Sequence, residues 1–133
     1  MTKRKNGVEK LKVLFVDDNE TLAFIVQMVL EAAGHEVRTA GDGREGYFAY
    51  LRFKPDLVIS DLEMPHENGP QMVRNIRRHD PYVSTVYVSG DAGRFDKVLE
   101  EEKRQYGASF LRKPFSRAEL MQLVGAARRK ALH

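Results

Sequence analysis

Cysteine is missing from all 133 residues. That excludes disulfides and thiolate chemistry and points to a reducing compartment, so the cytoplasm is the expected location. Long apolar runs are missing as well. The longest, residues 22–30, is interrupted by Gln27 and is too short to span a bilayer. A signal peptide is not expected, because the short apolar run after Lys3-Arg4-Lys5 is broken by Lys12 and closed by Asp17-Asp18. No Pro/Gly/Ser-rich linker, internal repeat or low-complexity tract divides the chain. The glycines form neither G-x-G-x-x-G nor a phosphate-cradling loop. The four histidines, His35, His66, His79 and His133, lack metal-ligand spacing and read as surface residues. Aromatic residues do not interleave the basic clusters Lys3-Arg4-Lys5, Arg77-Arg78 and Arg128-Arg129-Lys130. The formal net charge of +3 is therefore assigned to solvated tails and helix ends, and neither nucleic acid nor a membrane is expected as a direct partner.

What is present fits one globular domain, with 42% hydrophobic and 31% charged residues and enough length for a single core. Residues 1–10 are expected to form an N-terminal tail and residues 11–131 the domain. Apolar runs at 11–16, 36–40, 56–60, 85–88 and 108–112 read as strands. Between them the apolar spacing turns helical. Leu22, Ile25, Val26, Val29, Leu30 and Ala33 form a first stripe that Gly34 stops. Tyr47, Phe48 and Leu51 share a face of a second helix, in which Gly46 is a weak point, about 1 kcal/mol worse than alanine. Pro70 opens a third helix carrying Met72, Val73 and Ile76. Phe95, Val98, Leu99 and Tyr106 share a face of the fourth, whose outer face is assigned Glu100-Glu101-Glu102, with Glu100 pairing to Arg104. Ser116-Arg117-Ala118-Glu119 is a capping box, and Leu120, Leu123, Val124, Ala127 and Ala131 continue a fifth stripe. Five strands and five helices in strict alternation predict an α/β domain, a parallel sheet with helices on both faces.

Four of the strands end in chemistry. The first stops at Asp17-Asp18, the third at Asp61, the fourth at Ser89 and the fifth at Lys113. Asp61 follows Asp17 by 44 residues, room for two helices and two strands; Ser89 follows Asp61 by 28 and Lys113 follows Ser89 by 24, room for one of each. All therefore fall at the carboxyl edge of the sheet, where open α/β sheets bind ligands. Each has a bland explanation alone: Asp17, Asp18 and Asn19 could cap a helix, Asp61 could make a turn, Lys113 could be solvated. Their coincidence at one edge is what argues for function. Three acids suit the oxygen preference of Mg2+, and unneutralised they would repel one another. A carboxylate beside that cation can attack a phosphoryl group, whose oxygens a lysine and a serine hydroxyl can receive.

With those residues in place, the sequence resembles the receiver domain of two-component response regulators over about residues 11–127. The matching pieces are Val16-Asp17-Asp18-Asn19, Ser60-Asp61-Leu62-Glu63-Met64-Pro65 with Asn68-Gly69, Val88-Ser89-Gly90, and Lys113-Pro114-Phe115. The resemblance implies a flavodoxin-like, doubly wound five-stranded sheet in the order 2-1-3-4-5. It implies that Asp61 is the phosphoacceptor, charged by a sensor histidine kinase or phosphotransfer protein, and that Asp17, Asp18, Asp61 and the backbone carbonyl of Glu63 hold Mg2+. Ser89 and Lys113 would bind the phosphoryl group, Ser89 and Phe110 would form the switch, and Glu63 and Asp91 would tune phosphoryl lifetime. The Lys113-Pro114 bond would be cis. The output would be a change on the face of helix four, strand five and helix five that controls a downstream partner. Such a domain promotes its own phosphorylation and dephosphorylation without being a turnover enzyme.

Three competing functions remain in view. An aspartate-nucleophile phosphatase of the haloacid dehalogenase type would place a D-x-D motif on the first strand and an acid pair late, the reverse of the order here. A nucleotide or flavin binder would offer Gly, Ser or Thr at the first helix, where this chain has Asp17-Asp18-Asn19. A docking module that works without phosphorylation would have no need of the full set. The domain would either stand alone and work by docking, or belong to a longer regulator or hybrid kinase.

Overall fold

Five parallel strands lie at the centre of the computed structural model, which describes residues 4–5 and 8–131, with side chains from residue 10 to residue 127. They are β1 (Lys12–Val16), β2 (Glu36–Ala40), β3 (Leu57–Asp61), β4 (Ser84–Ser89) and β5 (Ser109–Arg112), in the spatial order β2-β1-β3-β4-β5. The helices α1 (Glu20–Ala32), α2 (Gly43–Phe53), α3 (Gly69–Ile76), α4 (Asp96–Tyr106) and α5 (Arg117–Ala131) alternate with them. This is the doubly wound 2-1-3-4-5 arrangement. Within the expected tail, Arg4–Lys5 pairs antiparallel with Val8–Glu9. Lys3 and His133 lie outside the described residues, as do the side chains of Arg128, Arg129, Lys130 and Ala131.

The central strand explains the topology. All five residues of β3 are buried, as expected of a strand covered on both faces. Alternation along β1 then divides the interior. Val13 and Phe15 face a core with Ala23, Val26 and Leu30 of α1 and Leu120, Val124 and Ala127 of α5. Leu14 and Val16 face the opposite core, built with Tyr50 of α2, Met72, Val73 and Ile76 of α3, and Leu99 of α4. Two helices thus cover one face and three the other.

Helix ends follow the sequence signals. Asn19 accepts from the Leu22 N–H at 3.0 Å, and Asp42 from the Glu45 N–H at 2.8 Å. Asn68 and Gln71 form a capping box, as do Ser116 and Glu119. Gly107, with φ of 69°, closes α4 in the left-handed conformation that glycine adopts without strain.

Several expectations are corrected. In α2 the buried positions are Gly43, Gly46, Tyr50 and Phe53, whereas Phe48 is exposed. The reason is close approach: a Cβ on Gly46 would come within 2.5 Å of Met72 Sδ and 3.0 Å of Val16 Cγ2. Gly46 is a contact point and not merely a weak one. In α4, Val98 and Tyr106 are more than a third exposed, and Phe95 sits in a preceding 3-10 turn, Gly93–Phe95. Glu102 is not on the outer face but buried, because Arg77 and Tyr87 satisfy its carboxylate. Arg104 pairs with Glu101, one helical turn away, and not with Glu100. His35 is buried as well, its Nδ1 accepting the Leu11 N–H at 3.1 Å.

Candidate functional site

The carboxyl ends of β1, β3, β4 and β5 bring the singled-out residues to one edge. Asp17 extends β1, its N–H donating to the Ala40 carbonyl of β2 at 3.0 Å. Asp61 is the last residue of β3, and Ser89 the last of β4. Lys113 follows β5 and is tied to the edge by its N–H, which donates to the Ser89 carbonyl at 2.9 Å. The Lys113-Pro114 bond is cis, as the resemblance implies. Gly69 explains the Asn68-Gly69 pair: a Cβ there would collide with the Asp61 carbonyl, so only glycine lets α3 begin against the end of β3.

Lys113 Nζ stands 2.7 Å from Asp17 Oδ2 and 3.3 Å from Asp61 Oδ2. Asp17 is almost wholly buried, at 1% exposure. Its Oδ1 accepts the Asn19 N–H at 2.9 Å, whereas its Oδ2 has the Lys113 charge nearby but no well-directed hydrogen bond. Asp18 is exposed at the mouth, yet one carboxylate oxygen from each of Asp17, Asp18 and Asp61 fits within 4.8 Å of the others. Three carboxylates and one ammonium leave two negative charges if all are ionised. A buried acceptor without a directed donor, hard oxygen donors and that charge surplus together fit a divalent cation.

The electrostatics agree. Burial, then the Asp17 charge, push the Asp61 carboxyl above its ordinary value, against the pull of Lys113 and a backbone hydrogen bond from Glu63. Burial alone would lower the Lys113 ammonium, but the close contact and charge of Asp17, and then the charge and hydrogen bond of Asp61, leave it raised. Lys113 therefore stays a cation here.

Ser89 reaches the same edge, but its hydroxyl is committed elsewhere. It donates to the Asp91 carbonyl at 3.0 Å and accepts the Asp91 N–H at 3.1 Å. The Asp91 carboxylate is turned to the Gly93 N–H at 3.1 Å. Glu63 is exposed and pairs with Arg94 at 2.9 Å across the mouth. Phe110 is half-buried in the α2–α3–α4 core, beside Tyr87 in register. Sequence reasoning missed Arg94 and the buried trio Arg77, Tyr87 and Glu102, which no local spacing marks.

Fold and site thus define a doubly wound α/β protein with an acid-rich, lysine-bearing pocket beyond the carboxyl ends of its strands. Comparison makes the class specific. The model of the response regulator receiver domain matches residues 13–125, and the chain belongs to that family of signalling receivers. It is similar to the transcriptional regulatory protein TrcR of Mycobacterium tuberculosis, 30% identical over 92% of this chain and 47% of that protein. It is also similar to the alkaline phosphatase synthesis transcriptional regulatory protein PhoP of Bacillus subtilis, 33% identical over 90% of this chain and 49% of that protein. The chain spans about half the length of these curated relatives. Among solved structures it resembles the chemotaxis protein CheY4 of Vibrio cholerae, with a TM-score of 0.77 and 29% identity over 87% of this chain and 97% of that one. No helix among the described residues is long and apolar enough to cross a membrane.

Proposed function

We propose that Asp61 accepts a phosphoryl group from the phosphohistidine of a sensor histidine kinase or phosphotransfer protein, in the cytoplasm, and that the resulting acyl phosphate changes the α4–β5–α5 face to control a partner. The observation that carries this reading is Lys113 held between Asp17 and Asp61 at the end of the central strand. An Asp61 carboxylate oxygen attacks phosphorus, the P–N bond breaks, and its electron pair stays on the departing imidazole. Asp17, Asp18, Asp61 and the Glu63 carbonyl would hold Mg2+, which would neutralise charge on the phosphoryl oxygens. The Lys113 ammonium receives one phosphoryl oxygen as a point charge, and Ser89 donates to another once it leaves Asp91. Glu63 and Asp91, two residues beyond Asp61 and Ser89, tune the lifetime of the acyl phosphate.

The donor has a landing place next to the pocket. Phe24, Ile25 and Met28 expose an apolar face on α1, and Phe24 lines the same cavity as Asp17 and Asp18. The test of function is direct. Acetyl phosphate with Mg2+ should add one phosphoryl group to the wild type and none to Asp61→Asn, read by intact mass. Full labelling of Asp61→Asn would reject the assignment. Phe24→Ser should slow transfer from a protein phosphohistidine donor and leave acetyl phosphate labelling unchanged; equal slowing of both would remove α1 as the landing face.

A further inference from the structure

A buried, multiply bonded polar cluster lies away from the pocket. Glu102, in the last turns of α4, is only 8% exposed. Its Oε1 accepts from Arg77 Nη2 at 2.6 Å and from the Tyr87 hydroxyl at 2.6 Å, and its Oε2 accepts from Arg77 Nη1 at 3.0 Å. The Arg77 guanidinium also stacks over the ring of Tyr106, the last residue of α4, at 3.4 Å. Arg77 caps α3 and Tyr87 sits in β4. One carboxylate therefore fastens the end of α4 to a second helix and to the sheet. Backbone closure reinforces this, since the Gly107 N–H reaches the Lys103 carbonyl at 3.0 Å and the Ala108 N–H the Glu102 carbonyl at 3.2 Å.

The other end of α4 is held differently. Neither the helix nor the 3-10 turn before it has a side-chain cap. Its attachment to β4 runs through residues 90–92, kept in place by the paired Ser89–Asp91 hydrogen bonds and by the Asp91 carboxylate on the Gly93 N–H. If the Ser89 hydroxyl turns to a phosphoryl group on Asp61, its proton leaves the Asp91 carbonyl and that attachment is broken. Tyr87, two residues earlier on the same face of β4, remains bound to Glu102.

We propose that the Arg77–Glu102–Tyr87 cluster is a clamp that keeps the C-terminal half of α4 fixed, so that within the α4 segment phosphorylation is displayed by residues 90–99 and not by residues 100–106. The part of the output surface that α4 contributes is then the 3-10 turn and its own first turn, with Arg94, Asp96 and Lys97 exposed there. Glu102 is a positioning residue in this scheme, acting through Tyr87 and Arg77. The inference rests on the phosphoacceptor reading of Asp61, and its test separates the two.

Amide hydrogen exchange of the whole chain is measured with and without Mg2+ and beryllofluoride, the latter standing in for the phosphoryl group. Residues 17–19 and 61–63 report adduct formation. With the adduct formed, exchange should change by about tenfold or more across residues 90–99 and by less than about twofold across 100–106. In Glu102→Gln, an amide donor replaces one acceptor and faces the Arg77 donors, so the changed zone should extend through Tyr106. Tyr87→Phe, which removes one arm at nearly constant volume, should extend it too and serves if the first variant folds poorly. Uniform change along α4 in the wild type overturns the clamp, as does an unchanged boundary in both variants. No change at residues 17–19 and 61–63 instead overturns the phosphoacceptor reading, and the clamp's signalling role falls with it.

Discussion

Two clusters in this molecule join carboxylates to a basic side chain across several elements, and they are balanced in opposite ways. At the clamp, one carboxylate meets one guanidinium and a tyrosine hydroxyl, and both of its oxygens are bonded. Burial, then the Glu102 charge, push the Tyr87 phenol up, so it remains the proton donor. At the pocket, three carboxylates meet one ammonium, an Asp17 oxygen lacks a directed donor, and Asp61 is pushed toward its protonated form. A matched cluster stores no demand for anything further and acts as structure. A cluster with surplus charge is incomplete until a cation and an anion arrive, and that incompleteness is the physical mark of a site.

The clamp should therefore be the costlier one to break. Glu102→Ala leaves the Arg77 guanidinium largely buried without its partner and should destabilise the protein by about 3 kcal/mol. For a domain of this size that is a fall in melting temperature of about 10 °C. Adding Arg77→Met should recover most of the loss, because removing both charges avoids an unpaired one. If the single substitution costs less than about 1 kcal/mol, the cluster is a surface pair in effect and the contrast with the pocket disappears.

Magnesium sharpens the comparison from the other side. The pocket's surplus charge means that a cation bound by the folded state alone should stabilise it, by about 1.5 kcal/mol when present at tenfold its dissociation constant. Thermal unfolding with and without Mg2+ reads this, and the gain should be lost in Asp18→Ala. Stabilisation that survives Asp18→Ala would place the cation elsewhere. Glu102→Gln should retain the gain, since the clamp has no part in binding it.

The two clusters also differ in how far the sequence revealed them. Asp17, Asp61, Ser89 and Lys113 were legible because each ends an apolar run, and the end of a parallel strand fixes where a residue lies whatever its side chain does. The doubly wound sheet was legible for the same reason, from strict alternation of strand and helix periods. Glu102 was misplaced because helical periodicity in a triple-glutamate run gives no sign of which acid turns inward. That depends on Arg77 and Tyr87, 25 and 15 residues away, and on the angle at which α4 crosses the sheet. Gly46 misled in the same way: propensity ranks it poor in a helix, while its value lies in contacts with Met72 and Val16 that are set only after packing. Local signals place backbone ends well. Partners across the core come from the assembled fold.

The smallest expected effect tests the pocket's imbalance without any ligand. Because burial and Asp17 raise the Asp61 carboxyl in the folded protein, the folded state holds the Asp61 proton more tightly than the unfolded chain does. Ionisation of Asp61 therefore costs stability. The penalty is absent below the ordinary carboxyl value of about 4, grows as pH rises toward the folded-state value, and is constant above it. Asp61→Asn removes the titrating group and should stabilise the metal-free protein at pH 7, with the difference shrinking toward zero as pH falls through the ordinary carboxyl range. Urea unfolding of both proteins in the presence of a chelator, at several pH values, measures it. Destabilisation by Asp61→Asn at pH 7 would mean that the Lys113 contact outweighs burial and the Asp17 repulsion. A constant difference at every pH would mean that the two proteins differ in packing and not in charge. Either result would remove the strain that distinguishes the pocket from the clamp.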